Sequence, residues 1–154
     1  PNNILLIGDE AKLADYGLAT PMTGSMTPCA RHGTAEYCAP EVFHGHLSER
    51  SDQFGFAVMY IVMRAHCFPF PAPPTDREKL RNYVRPEPDL SLLPAAEQPI
   101  LARALSVIPQ NRFPTCESLL NAILSVNNLK ITLDENGKPI IESSNEQQKS
   151  KQFR

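Results

Sequence analysis

Near the start of the chain, two oxygen-bearing side chains bracket a short apolar–turn–apolar stretch. Asn3 precedes residues 4–7 and Asp15 follows residues 11–14, with Gly8-Asp9-Glu10 between them. The pattern predicts a β-hairpin with each donor beside a short strand. A carboxylate and an amide oxygen so placed can ligate one hard cation. Magnesium takes oxygen ligands in an octahedron and keeps waters and phosphate oxygens as the rest. Taken alone, Asp15-Tyr16-Gly17 also reads as a plain turn. Three hydroxyls, Thr23, Ser25 and Thr27, follow in a Thr-, Ser-, Pro- and Gly-rich stretch with no hydrophobic period, predicted to be a solvated loop over 20–33. They are candidate phosphorylation sites, with Arg31-His32 as a partner for the phosphate, or solvated hydroxyls with no role. His44 and His46 alternate without a third ligand nearby, which fits a surface loop better than a metal site. The four cysteines, Cys29, Cys38, Cys67 and Cys116, form no C-x-x-C pair. They predict free thiols in a reducing compartment, and hence a cytoplasmic chain.

The elements that must position these groups are mostly helical. Pro40 suits the first turn of a short helix over 39–44. Ser51 or Asp52 can cap a helix running to about Ala65. Its residues Phe54, Phe56, Ala57, Val58, Met59, Tyr60, Ile61, Val62 and Met63 are apolar on every face, so it is predicted to be the central post, buried all round. Four prolines make 68–74 a loop, and Thr75-Asp76 start a short polar helix through Tyr83. A helix from near Ala95 tolerates Pro99 in its first turn and carries the stripe Ile100, Leu101, Ala104 and Leu105. The last helix spans 114–126, capped by Thr115, with Leu119, Leu120, Ile123 and Leu124 as its stripe. Residues 130–141 alternate around Asp134-Glu135-Asn136-Gly137 and predict a second hairpin, and 143–154 predict a polar, disordered tail.

Composition sets the frame. The 154 residues are 42% hydrophobic and 21% charged, with a net charge of -2. That is one domain's worth of chain with enough apolar material for a core. It carries no basic footprint for nucleic acid and no polybasic membrane patch. The longest apolar run, 54–63, falls short of the roughly 20 residues that span a bilayer. No signal peptide is visible, and the opening Pro1-Asn2-Asn3 without methionine predicts a fragment.

Downstream of Asp15 stands Gly33-Thr34-Ala35-Glu36-Tyr37-Cys38-Ala39-Pro40-Glu41, which resembles the G-T-x-x-Y-x-A-P-E end of a protein kinase activation segment. Asp15-Tyr16-Gly17 then looks like the kinase D-F-G, with Tyr for Phe, and Pro1-x-Asn3 like the end of the catalytic loop. Ser51-Asp52-Gln53-Phe54 resembles the start of the family's long buried helix. Pro69-Phe70 is similar to its P-F turn, and Pro109-Gln110-Asn111-Arg112 to its P-x-x-R. These landmarks keep the family's order over residues 1 to about 126. The resemblance implies a partial kinase catalytic domain over 1–126: a mainly α C-terminal lobe with a short N-terminal β-hairpin, from a domain that is α+β when complete. Residues 127–154 would be a hairpin and a linker or tail.

The resemblance also implies roles. Asn3 and Asp15 would ligate magnesium on the phosphates of ATP. Leu5 would pack beneath the adenine, and Ala14 would line the same pocket. Thr34 would hydrogen-bond near the catalytic base. With Tyr37, it fits the serine/threonine branch better than the tyrosine branch. Glu41 would pair with Arg112 and pin the activation segment to the helical body, and Asp52 would hold the catalytic loop's backbone. Partners would be protein substrates and, in cis, the N-lobe.

The glycine-rich loop, the strand lysine, its glutamate partner and the catalytic aspartate of the family are not among these 154 residues. That aspartate would stand just before Pro1. The chain by itself is therefore expected to be inactive. Ala57 stands where Gly is common. Val62, Arg64 and His66 replace positions usually Glu, Leu and Gly, and Ile108 replaces a frequent acid. These departures touch packing and substrate-side surfaces, not the fold. An active parent kinase is favoured because both metal-binding positions are intact. A pseudokinase or a helical interaction module is the alternative, and a membrane anchor or sensor beyond residue 127 stays open.

Overall fold

The structure, a computed structural model, describes residues 2–8, 10–15, 17, 19, 21–28 and 34–144. Pro1, Asp9, Tyr16, Cys29, Arg31, His32, Gly33 and most of the predicted polar tail lie outside the described residues. Strands β1 (Ile4–Ile7) and β2 (Glu10–Leu13) pair antiparallel, Ile4 opposite Leu13 and Ile7 opposite Glu10. Gly8 turns the chain at φ +61, a left-handed conformation open to glycine at little steric cost. β3 (Met26–Pro28) pairs with β4 (His46–Ser48), and β5 (Leu129–Leu133) with β6 (Pro139–Ser143). Between them lie the helices α1 (Pro40–Phe43), α2 (Ser51–Ala65), α3 (Arg77–Arg81), α4 (Gln98–Ala104) and α5 (Cys116–Val126). Short 3₁₀ turns occupy Ala35–Tyr37 and Pro109–Asn111.

Helix ends follow local chemistry. Asp76 accepts from the Glu78 and Lys79 amides at 3.0 Å and starts α3. Thr115 accepts from Ser118 N at 3.0 Å and starts α5. Both side chains take up amides that have no intrahelical partner. Pro40 opens α1, where its missing N–H is not needed.

Helices and loops supply the core. Phe54, Ala57, Val58 and Ile61 recur at helical spacing along α2 and meet Leu101 and Ala104 of α4 and Leu119 and Ile123 of α5. Here the expectation of a helix buried all round is corrected. Met59, Tyr60 and Val62 are half-buried, and Met63 is 62% exposed. α4 and α5 cover one stripe of α2, while Phe56, Tyr60 and Val62 pack at the margin of the core and Met63 faces out.

Other boundaries also move. Ser51 and Asp52 do not cap α2. Arg50 holds that position without a side-chain cap, and the Ser51 hydroxyl faces Glu41 instead. α4 begins at Gln98 rather than Ala95, because residues before it form a turn closed by Glu97 N to Pro94 O at 2.9 Å. α3 stops at Arg81, short of Tyr83. The predicted loop over 20–33 contains β3, and His46, read as a loop residue, lies in its partner strand. Three-residue strands carry too little period to be read, and this pair joins segments far apart in sequence. Ser143, assigned to the tail, pairs with Leu129 in the last hairpin.

Candidate active site

The first hairpin sets Asn3 opposite Ala14, next to Asp15, at its open end. Ala14 N donates to Asn3 O at 2.8 Å, extending the β1–β2 ladder by one pair. By the two-residue alternation of a pleated ladder, Asn3, Leu5 and Ala14 fall on one face. Asn3 and Asp15 are exposed, Leu5 is 48% exposed and Ala14 is half-buried. Asp15 has φ 63, a conformation aspartate tolerates better than most residues. Its Oδ1 accepts from Gly17 N at 3.3 Å, closing a local turn. A Cβ at Gly17 would stand 3.2 Å from that oxygen, so a side chain there would crowd the carboxylate. No group of three or more His, Cys, Asp or Glu side chains gathers to hold a metal among the described residues. A cation at the hairpin would therefore take most of its ligands from water or from a bound phosphate.

The three hydroxyls separate. Thr23 and Ser25 are exposed. Thr27 is only 5% exposed, pairs with Leu47 across β3 and β4, and accepts from Thr23 N at 3.1 Å. The reading of Thr27 as a solvated loop hydroxyl is thus corrected. Thr34 is exposed at the entrance to the 35–37 turn, where its carbonyl accepts from Tyr37 N at 3.0 Å. Among the described residues no hydrogen bond joins Thr34 to Asn3 or Asp15. Asp52 is exposed in the first turn of α2, where a negative charge suits the positive end of the helix.

Behind this stretch lies a buried ion pair. Arg112 Nη1 and Nη2 donate to Glu41 Oε1 and Oε2 at 2.8 and 2.7 Å, a bidentate contact between side chains 0% and 7% exposed. Arg112 also donates to Ser106 O and Arg50 O at 2.9 Å each, and its guanidinium lies 5.1 Å from the Phe54 ring centre. The Ser48 and Ser51 hydroxyls complete the shell of Glu41 at 3.1 and 2.8 Å. Burial by itself would raise the Glu41 carboxyl pKa. Arg112's hydrogen bonds and charge, a backbone N–H and Ser51 outweigh it and hold the group below 4.5. A folded value below the unfolded one contributes stability above the unfolded pKa, and that stability is lost as pH falls through the folded one. Urea midpoints should therefore drop below about pH 4.5 more steeply for the wild type than for Glu41→Gln. Equal acid slopes would remove Glu41 from the acid response.

A second buried arginine serves the same stretch. Arg85, 4% exposed, donates to Ala35 O at 2.6 Å, Glu36 O at 3.1 Å and Cys38 O at 2.8 Å. Gln53, fully buried, brackets Phe113, accepting from its N–H at 3.0 Å and donating to its carbonyl at 3.1 Å. Neither side chain had a readable partner in sequence. A hydrogen bond to a distant backbone carbonyl leaves no mark on residue type. The one available signal was an arginine set just before Pro86 and Pro88, in a segment with no helical period.

Comparison with known sequences bears on this geometry. The family described as the protein kinase domain matches residues 1–130. The chain belongs to the protein kinase family. A membrane-associated tyrosine- and threonine-specific cdc2-inhibitory kinase of Drosophila melanogaster is 27% identical over 78% of this kinase chain and 22% of its own length. A probable serine/threonine-protein kinase, PBL17, of Arabidopsis thaliana is 47% identical over 40% of the chain and 15% of its own length. Calcium-dependent protein kinase 4 of Plasmodium berghei is 35% identical over 46% of the chain and 14% of its own length. The kinase chain thus spans about a fifth or less of the length of these relatives. The family match ends inside β5, so most of the last hairpin lies beyond it.

Proposed function

We propose that this chain supplies the magnesium-facing hairpin, the activation segment and their C-lobe support to a protein kinase that phosphorylates Ser or Thr of protein substrates. The observation that carries this reading is that the hairpin sets Asn3 opposite Ala14, next to Asp15 in sequence, at one exposed end, in a chain of this family. One carboxylate and one amide oxygen, with no further ligand cluster among the described residues, suit magnesium that shares its shell with phosphate and water. Asn3 and Asp15 would hold the ion, and Leu5 and Ala14 would face the adenine. When bound, magnesium–ATP brings the phosphoryl group and neutralises its charge. The chain's own residues position and orient: Thr34 stands by the substrate-side base, and the buried Glu41–Arg112 pair fixes the segment that carries Thr34. Exposed Leu6, Ile7 and Leu13 on the hairpin support a second wall supplied in cis by the N-lobe. Thr34 with Tyr37, and relatives whose names include serine/threonine kinases, support the hydroxyl specificity. Among the described residues Cys67 and Cys116 are free thiols, which supports a reducing, cytoplasmic setting, and no helix there is long and apolar enough to cross a membrane.

The test uses the full-length protein that carries these residues, with labelled ATP, magnesium and a generic basic protein substrate. Phosphoserine and phosphothreonine are the expected products. Phosphotyrosine alone would overturn the hydroxyl specificity, and no incorporation would favour a pseudokinase. The 154-residue chain alone should give no turnover, since positioning and electrostatics need both walls of the site. Turnover by the chain alone would overturn the half-site reading.

A further inference from the structure

The 35–38 turn is held at its centre as well as at its end. Arg85 sends Nε and Nη2 to the carbonyls of Ala35, Glu36 and Cys38, with Nε to Cys38 O at 3.1 Å and Nη2 to the same oxygen at 2.8 Å. A one-turn 3₁₀ helix satisfies few of its carbonyls through its own amides, and a planar fork of donors reaches three carbonyls of this turn from one side chain. The guanidinium carbon lies 4.8, 5.0 and 5.5 Å from the ring centres of Phe70, Phe43 and Phe54, so three aromatic rings surround the charge. Tyr83, two residues earlier, meets the Phe43 ring edge-on at 5.6 Å and docks the same loop on α1. The turn also abuts α2: a Cβ at Gly55 would stand 3.4 Å from Tyr37 O. The turn is therefore set between α2 and the loop that follows α3. Arg85 and Arg112 both lie over Phe54, so the two fixed points of the 34–41 stretch share one aromatic anchor.

We propose that Arg85 is a positioning residue: by holding three carbonyls of the 35–38 turn it sets the backbone that presents Thr34, and so sets turnover without touching the nucleotide side. This rests on the reading of Thr34 as neighbour of the base in the complete kinase. Thr34 O is tied to Tyr37 N and Ala35 O to Cys38 N, at 3.0 and 3.2 Å, so a shift of the turn moves Thr34 with it. Asn3 and Asp15 sit on a separate hairpin with no hydrogen bond to Arg85 among the described residues. A lysine at 85 keeps the charge but not the fork, and a glutamine keeps a donor but not the charge.

The experiment compares full-length wild type with Arg85→Lys and Arg85→Gln, after circular dichroism has checked folding. Amide exchange at Tyr37 and Cys38 should rise by about 10- to 100-fold in both variants. The kcat should fall by about 100-fold with KM for ATP unchanged, as expected for a displaced catalytic support. Folded variants with wild-type exchange and wild-type kcat overturn the proposal. So does a raised KM for ATP with kcat intact. Unfolding of both variants also overturns it, in favour of a role in stability alone. If the wild type transfers no phosphate, the kinase reading fails, and the exchange measurement still decides whether Arg85 sets the turn.

Discussion

Arg112→Ala should lower the stability of the folded chain by about 3–5 kcal/mol, the usual loss when one partner of a buried ion pair is removed. The arrangement explains why the loss is large. The Arg112 side chain is 0% exposed and makes both bonds to Glu41 as well as bonds to Ser106 O and Arg50 O. Alanine would leave a buried carboxylate with the Ser48 and Ser51 hydroxyls and a backbone N–H but no countercharge, two carbonyls that have lost a donor, and a void beside Phe54. Arg103→Ala is the matched control. Arg103 is exposed, lies 4.2 Å over the Phe113 ring and makes one 3.3 Å bond to Asn111 O, so its loss should stay within about 1 kcal/mol. Urea unfolding of both variants at neutral pH measures the difference. Equal losses would show that the pair adds nothing beyond an ordinary arginine contact. A double variant, Glu41→Leu with Arg112→Met, should lose less than Arg112→Ala, because no charge is then left buried alone.

That pair marks how far the sequence could be read. Its partners are 71 positions apart, and nothing in their local composition joins them. They were coupled through the order of motifs, each of which taken singly reads as a surface charge. Local features were legible without such help. The spacing of Phe54, Ala57, Val58 and Ile61 announces one buried stripe, and Asp76 and Thr115 announce helix starts, because a cap and its amide lie within three residues. The same reading failed where apolar content exceeded the cover available. Met63 belongs to an apolar run yet is 62% exposed, since burial depends on what packs against a face and not on the face alone. β3 failed for a different reason: Thr27 lies in a polar stretch, and its burial comes with strand pairing to a segment 20 positions away, where Leu47 stands opposite. Arg85 and Gln53 were missed because they bond to backbone atoms 47 and 60 positions away, and every residue type supplies a carbonyl.

The hairpin that carries Asn3 and Asp15, in contrast, was legible, because local pairing alone sets Asn3 opposite Ala14, the neighbour of Asp15. Asp15→Asn in the full-length protein should reduce kcat on the order of 10²–10³, the scale at which one preorganised charge or donor acts in a reaction of this kind. The substitution is nearly isosteric, and the amide oxygen can still accept from Gly17 N, so the turn at φ 63 keeps its closing bond. Asp15 is exposed, and the change should shift the melting curve no more than an ordinary surface substitution, within about 0.5 kcal/mol. What is lost is a negative charge on one of the two oxygen donors, and that loss should show as a raised magnesium requirement alongside the lower kcat. Activity titrated against magnesium, with a melt of the same preparation, separates the outcomes. A collapsed melt would move Asp15 from ion binding to folding. An unchanged kcat with an unchanged magnesium curve would sink the assignment of the ion to this hairpin, and would leave the Glu41–Arg112 pair as a fixture of the fold with no reacting group for it to position.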